Sequence, residues 1–106
     1  HVGARERAHV VTSKAALVGL TKAISMEFIE RGITCNCVVP GFIEDFDTDK
    51  NELHGHWLKH PQTPNLASGR YGNPEDVAEV ISNLCKEEAN YINGQVLHVN
   101  GGTYTP

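Results

Sequence analysis

The sequence of 106 residues is 40% hydrophobic and 21% charged, which is typical of one folded globular domain and argues against intrinsic disorder. Its formal net charge is −4, with acidic and basic residues interspersed, so no basic patch is available to bind nucleic acid or an anionic membrane. No stretch approaches the roughly 20 apolar residues that a membrane-spanning helix needs, and residues 1–7 lack the pattern of a secretory signal. We therefore predict one cytoplasmic domain without a nucleic-acid or membrane partner.

The first predicted element is a helix over residues 12–31. Thr12 or Ser13 offers a hydroxyl to cap its first turn, and the polar residues before it are predicted to form a loop. Gly32, which follows a basic residue, marks the end of the helix. Apolar residues recur along it at spacings of three and four. They predict one stripe that faces the core, formed by Leu17, Leu20, Ile24 and Phe28.

A short run rich in β-branched residues follows over 33–39 and is typical of a parallel strand covered on both faces. Pro40 and Gly41 end it, because proline has no amide hydrogen to donate to the sheet. In open α/β sheets, ligands bind just beyond the carboxyl ends of the strands. The loop from Pro40 to Ile43 is therefore the predicted position of a cofactor or substrate.

Residues 44–70 form the least regular stretch, and a connection of this length in a small domain is usually a functional lid. We predict a lid with one short helix near 50–60. A second helix over 74–85 is indicated by Asn73 as a cap, by proline at the first helical position and by two acidic residues in the first turn. The final predicted element is a strand over 95–100. The predicted inner stripe of the second helix consists of Val77, Val80, Ile81 and Leu84.

Three groups of residues could suggest a metal, and each has a simpler interpretation. Cys35 and Cys37 alternate along the strand, but structural zinc needs four suitably spaced ligands and no second pair exists. The three cysteines have no framework spacing, which fits a reducing compartment. The acidic residues at 45, 47 and 49 imitate a calcium loop, but Lys50 and His56 stand where glycine and glutamate are needed. We predict that the acidic residues form a solvated turn. We also predict that three histidines of the lid bind no metal: His54, His56 and His60.

Four motifs, in this order, resemble the C-terminal half of the short-chain dehydrogenase/reductase family. The resemblance is closest to reductases of the 3-oxoacyl carrier-protein reductase and glucose dehydrogenase type. It implies an α/β fold in which residues 1–106 form the C-terminal half of a Rossmann-like, doubly wound parallel sheet, with residues 44–70 as a substrate lid. The motifs are Thr-Ser-Lys-Ala-Ala-Leu at 12–17, Asn-Cys-Val-Val-Pro-Gly-Phe-Ile at 36–43, Gly-Arg-Tyr-Gly-Asn-Pro-Glu-Asp-Val-Ala at 69–78 and Asn-Gly-Gln-Val-Leu-His-Val-Asn-Gly-Gly at 93–102.

The resemblance implies an oxidoreductase that uses NAD or NADP to reduce a ketone or to oxidise a secondary alcohol. In the family, the lysine matching Lys14 hydrogen-bonds the nicotinamide ribose and lowers the pKa of a catalytic tyrosine. Pro40, Gly41, Phe42 and Ile43 correspond to the loop that lines the nicotinamide ring, with the backbone of Ile43 against the carboxamide. Lys14 is thus the implied catalytic residue, and Lys14 and this loop are the implied cofactor-binding residues.

The sequence also departs from the family pattern. Val10 stands where the family carries its catalytic tyrosine, and His9 is one position away from it. Asp45 occupies a position where a threonine often contacts the cofactor pyrophosphate. No glycine-rich turn follows an early strand, and the family's catalytic serine would precede residue 1. We therefore expect a truncated chain that is inactive alone.

A second interpretation is a non-catalytic oligomerisation module derived from the same family. The helix over 12–31 and the C-terminal strand resemble the family's subunit interfaces, which would persist without chemistry. In either case, the resemblance implies a homo-oligomer formed through these two elements.

Overall fold

The computed structural model describes residues 6–43 and 68–105. Most of the predicted lid, together with its helix, its acidic turn and its histidines, lies outside the described residues. The two helices are α1 (Ala8–Glu27) and α2 (Pro74–Leu84), and the two strands are β1 (Cys37–Pro40) and β2 (Val96–Val99). β1 and β2 are neighbours in a two-stranded parallel sheet, so the predicted α/β class is confirmed. Short 3-10 turns follow the helices at Ile29–Arg31 and Glu87–Ala89.

The described residues group into two compact units. The first contains residues 6–38 and 83–97 and includes α1. The second contains residues 39–43, 68–82 and 98–105, and includes most of α2. No helix that these residues form has the length and hydrophobicity needed to span a bilayer.

Helix α1 begins at Ala8, four residues earlier than predicted. The residue that precedes it, Arg7, makes no side-chain cap, and its carbonyl accepts a hydrogen bond from the amide of Val11 at 2.9 Å. Ser13, a predicted cap, lies inside the helix and donates its hydroxyl to the carbonyl of Val10 at 2.9 Å. A serine hydroxyl that bonds back to the preceding turn is compatible with a continuing helix. As a result, Val10 and Lys14 both lie on α1.

The end of α1 agrees better with its prediction than the start does. The regular helix stops at Glu27, and a 3-10 turn carries the chain on to Gly32. Gly32 has a φ of 70°, in the left-handed region that glycine adopts without a steric penalty. The predicted glycine stop is therefore confirmed, although the last turn is tighter than an α-helix.

The predicted core-facing stripe on α1 is wrong in part. Leu17 and Leu20 remain 48% and 54% exposed, whereas Thr21 and Ser25 are the buried side chains of the helix. Both hydroxyls donate to backbone carbonyls of the preceding turn at 2.8 Å, which satisfies them inside the unit. A Cβ on Gly94 would lie 2.8 Å from the Ser25 hydroxyl, so this face of α1 packs against a tight turn that needs small side chains. No hydrophobic side chain of the described residues is fully buried.

Side-chain amides hold the first unit together where a longer strand was predicted. Asn93 donates from Nδ2 to the carbonyl of Ser25 at 2.9 Å and accepts from the amide of Cys35 at 2.8 Å. Asn36 donates from Nδ2 to the carbonyl of Ile92 at 2.8 Å. These bonds replace the strand ladder before residue 37, which explains why β1 starts four residues later than predicted. β1 does end at Pro40, as expected.

Helix α2 follows its prediction closely. Its predicted inner stripe is half-buried at Val77, Val80 and Leu84, whereas Ile81 is exposed. β2 lacks the terminal residues of the predicted 95–100 strand. The three cysteines are free thiols, and the described residues contain no group of three or more histidine, cysteine or acidic side chains that could hold a metal ion.

Candidate functional site

The carboxyl ends of the two strands lie in contact in the second unit. The amide of Gly41 donates to the carbonyl of Val99 at 2.9 Å. A Cβ at position 41 would lie 2.7 Å from both the Cα and the Cβ of Asn100, which is closer than carbon atoms can approach. Gly41 was predicted as part of a ligand-binding loop, and the structure reveals an additional packing requirement for glycine at this position.

The next two residues of the loop are held by the segment that precedes α2. The amide of Gly72 donates to the carbonyl of Phe42 at 2.9 Å, and Ile43 forms a parallel β-bridge with Gly72. A Cβ on Gly72 would lie 2.6 Å from the Cδ1 atom of Ile43. The backbone of the predicted cofactor loop is therefore fixed by strand-like pairing. Sequence reasoning missed this pairing, because no spacing in the sequence relates Gly72 to Phe42 or Ile43.

An ion pair fastens the same segment to the start of α2. Arg70 donates from Nη1 and Nη2 to the two carboxylate oxygens of Asp76, at 2.7 and 3.1 Å. Arg70 Nη1 also donates to the carbonyl of Tyr71 at 2.8 Å. Asp76 accepts a further bond from the backbone amide of Asn73 at 2.8 Å, so its carboxylate caps the first turn of α2. The sequence indicated that a cap lies here, but not that Asp76 and Arg70 form it together.

These contacts lower the pKa of the Asp76 carboxyl from 3.8 to about 2, first through the hydrogen bonds from Arg70 and then through the amide of Asn73. Because the pKa is lower in the folded chain, the pair stabilises the fold above about pH 4, and this contribution is lost as the pH falls toward 2. We expect Asp76→Asn to lower the thermal midpoint at neutral pH, and the difference from the parent chain to close over that acidic range. Thermal melts followed by circular dichroism between pH 7 and pH 2 would measure it.

Glu75→Gln provides the matched control, since Glu75 is an exposed acid of the same helical turn. It should change the acid sensitivity far less than Asp76→Asn does. Equal acid profiles for the two variants would contradict the role assigned to the Arg70–Asp76 pair.

A groove of about 370 Å³ opens at this end of the second unit. Its apolar side chains are Phe42, Ile43 and Val99, and glycine backbone and polar side chains form the remainder. The ring of His98, on β2, lies 5.2 Å from that of Tyr104, with the two planes tilted by 48°. A groove at the carboxyl ends of parallel strands is where α/β sheets bind ligands, and this one could hold a flat ring with polar substituents. Its polar side chains include Ser68, Arg70, Asp76, His98 and Asn100.

The residues predicted as a site fall into both units. Pro40, Gly41, Phe42 and Ile43 lie together in the second unit, and all but the exposed Pro40 are half-buried. Lys14 is exposed on α1 in the first unit. Val10 lies one helical turn before it and is partly exposed, so the two side chains share a face of the helix.

No described tyrosine occupies this face of α1. Tyr91 is almost fully exposed in the loop before β2, and Tyr104 stacks against His98. The hydroxyl of Tyr71 is buried and has no hydrogen-bond partner among the residues that the structure describes. A phenol that solvent does not reach is poorly suited to exchange a proton with a substrate.

Comparison with known proteins shows the family to which the chain belongs. The family model described as "Enoyl-(Acyl carrier protein) reductase" matches residues 1–104. The 3-oxoacyl-(acyl-carrier-protein) reductase of Aquifex aeolicus is 43% identical over 93 residues, which cover 88% of the chain and 36% of that relative. The same enzyme of Rickettsia felis is 45% identical over 97 residues, which cover 91% and 39%. The chain spans less than half the length of the curated relatives it matches.

Solved structures of the same family superimpose on the chain. A short-chain dehydrogenase/reductase variant of Serratia marcescens superimposes with a TM-score of 0.80 at 32% identity, covering 99% of the chain and 41% of that structure. Acetoin dehydrogenase of Salmonella typhimurium gives a TM-score of 0.77 at 33% identity, with 97% and 40% covered. The chain therefore has the α/β fold of the matching part of these Rossmann-fold proteins.

Proposed function

Because the chain belongs to the short-chain dehydrogenase/reductase family, we propose that it is the nicotinamide-binding part of an oxidoreductase that reduces a ketone or oxidises a secondary alcohol. NAD or NADP is the proposed cofactor. The names of the curated relatives favour carbonyl reduction. One observation carries the proposal: the Phe42–Ile43 backbone is clamped to Gly72 beside a groove at the carboxyl ends of the strands.

The size and the lining of the groove support binding of a nicotinamide. A flat ring with a carboxamide needs one apolar wall and a fixed backbone group as a hydrogen-bond partner, and Phe42 and Ile43 can supply these. When bound, the nicotinamide supplies or accepts a hydride. In this proposal, the backbone of Ile43 orients the carboxamide and Lys14 hydrogen-bonds the ribose. Residues 44–70 close over the small carbonyl or alcohol substrate and exclude water.

Proton transfer is where this chain departs from the family. Reduction of a ketone needs a proton for the new alkoxide, and the side chain of Val10, which we propose stands in place of the family tyrosine, has no proton to donate. Lys14 would still lie one turn away, where its charge would stabilise a phenolate. We therefore propose that the chain alone binds nucleotide and turns over little or no substrate.

Exposed side chains on α1 support the alternative of an assembly module. Leu17 and Leu20 lie three residues apart, so they are neighbours on the helix surface, and they are 48% and 54% exposed. Adjacent exposed leucines on a helix are typical of a face that another protein surface covers. We propose that α1 and β2 form the contacts of a homo-oligomer, either within the enzyme or, in the alternative, as the only remaining function.

A titration of the chain with NADH and with NADPH, followed by nucleotide fluorescence, tests the proposal. We expect saturable binding of one nucleotide or both. Lys14→Met should weaken it about tenfold or more, because a hydrogen bond from a charged donor contributes about 1.5–3 kcal/mol. Lys22→Met is the matched control, since Lys22 is an exposed lysine of the same helix, and it should leave affinity unchanged.

Two outcomes would contradict the cofactor role. Equal effects of the two lysine variants would remove Lys14 from the site. No saturable binding of either nucleotide, together with a dimer or tetramer in light scattering, would support the assembly module instead.

A further inference from the structure

Two Asn-Gly dipeptides, Asn93-Gly94 and Asn100-Gly101, occupy different environments, and we propose that Asn100 is a site of spontaneous deamidation from which the fold protects Asn93. Asparagine before glycine is chemically labile. Glycine has no side chain to hinder the attack of its backbone nitrogen on the side-chain amide carbon of the asparagine. The proposal concerns a modification of the chain and does not depend on its proposed enzymatic function.

The reaction balances with water as the only co-reactant. The backbone nitrogen of Gly101 attacks the side-chain amide carbon of Asn100 and loses its proton, and the new C–N bond closes a succinimide. The C–N bond to the side-chain amide breaks, and that nitrogen leaves with the proton as ammonia. Water then opens the succinimide to aspartate or isoaspartate, without any change of oxidation state.

At Asn93, every group that the reaction needs is held by a hydrogen bond. The amide of Gly94, which would be the nucleophile, donates to the carbonyl of Cys35 at 2.8 Å. The Asn93 side chain donates to Ser25 on α1 and accepts from the amide of Cys35. Both asparagine side chains are held at the oxygen and at the nitrogen, so the difference between the sites is the bond of the Gly94 amide, which must break before attack in a half-buried turn that packs against α1. The first unit must therefore open locally before Asn93 can react.

At Asn100, the nucleophile is available and the electrophile is activated. The amide nitrogen of Gly101 makes no hydrogen bond within the described part of the chain, and Gly101 is exposed. The amide of Gly102 donates to Asn100 Oδ1 at 3.0 Å, at the oxygen where negative charge develops during attack. Asn100 Nδ2 donates to the carbonyl of Tyr104 at 2.7 Å, and the leaving group makes no other bond among these residues.

The product would alter the end of the second unit. Neither oxygen of the new carboxylate can donate to the carbonyl of Tyr104, and isoaspartate adds a methylene to the main chain. The Cα and Cβ of Asn100 lie so close to Gly41 that no methyl group fits between them, and Asn100 lines the groove. Deamidation would therefore reshape the groove and add a negative charge to its wall.

The test follows both dipeptides in one sample. The chain is incubated in mildly alkaline buffer, with and without denaturing urea, and sampled over days. Proteolytic peptides are analysed by mass spectrometry for the mass gain of amide-to-carboxyl conversion, and isoaspartate is assigned by electron-transfer fragmentation. In native buffer, we expect Asn100 to convert roughly tenfold faster than Asn93, because at least one more hydrogen bond protects the nucleophile at Asn93. In urea, the two rates should become similar.

Asn100→Gln serves as the chemical control, since closure of the larger glutarimide ring is slower. It should abolish most ammonia release by the native chain, whereas Asn93→Gln should leave this release almost unchanged. The proposal is overturned if Asn93 converts as fast as Asn100 in native buffer. It is also overturned if native Asn100 remains intact over the time in which urea converts it fully.

Discussion

Replacement of Val10 by tyrosine is expected to raise ketone-reductase activity by about 10²- to 10⁴-fold, the contribution of a well-placed general acid. Val10 and Lys14 lie one turn apart on the same face of α1. A phenol at position 10 would therefore lie near the Lys14 ammonium group, which would lower its pKa. Activity would be measured as NADPH or NADH oxidation with a panel of ketones. The chain would be fused to the N-terminal part of the Aquifex aeolicus reductase, whose matching segment is 43% identical.

Val10→Phe in the same fusion is the matched control, because it adds the ring without the hydroxyl. Only the tyrosine variant should gain activity, and its rate should follow the ionisation of a phenol. A second control, His9→Tyr, moves the phenol to an adjacent helical position that points elsewhere. If Val10→Tyr and Val10→Phe had equal rates on every ketone, position 10 would not correspond to the family tyrosine.

Gly41→Ala is expected to lower the free energy of unfolding by about 1–3 kcal/mol, the usual cost of overpacking a close contact. The added Cβ would lie 2.7 Å from two carbon atoms of Asn100, one of which belongs to the backbone and cannot rotate away. Relief of this clash requires the ends of β1 and β2 to separate, which would strain the hydrogen bond from Gly41 to the carbonyl of Val99. Urea unfolding followed by circular dichroism would measure the change.

Gly19→Ala provides a control of the opposite sign. Gly19 lies within α1, and a Cβ there would meet nothing within 4 Å. Alanine is favoured over glycine in a helix interior by about 1 kcal/mol, so this variant should be more stable than the parent chain. If Gly41→Ala were as stable as Gly19→Ala, the close approach of the two strand ends would not be present in solution.

The loop at Pro40 was predictable because its signal is local. A proline after a run of β-branched residues must interrupt the ladder wherever the strand lies, and β1 ends at that residue. The clamp from Gly72 was not predictable in the same way. It joins residues separated by the whole segment 44–67, and no spacing in the sequence indicates which distant amide will meet the carbonyl of Phe42.

Helix α1 shows which of its features the sequence pattern predicts and which it does not. Its end at Gly32 was correct, because glycine adopts the left-handed conformation after a helix without a steric penalty. Its start was wrong because the Ser13 hydroxyl can cap a helix or bond back inside one, and the sequence does not distinguish these choices. The predicted buried positions were wrong in part, at Leu17 and Leu20. The period identifies apolar positions, but the Gly94 turn leaves room only for a side chain as small as Ser25.

The sequence by itself determined the order and type of the two described helices and two strands, the family and the loop at the strand end, because periodicity, proline and glycine act through local backbone chemistry. The tertiary structure alone decided three contacts: the approach of Gly41 to Asn100, the Arg70–Asp76 cap and the bonds of Asn93 to α1 and to the strand segment. Most of these contacts join residues far apart in the chain. Which of these polar groups meet depends on how the elements pack in three dimensions. The sequence around a polar residue does not identify its hydrogen-bond partner elsewhere in the chain.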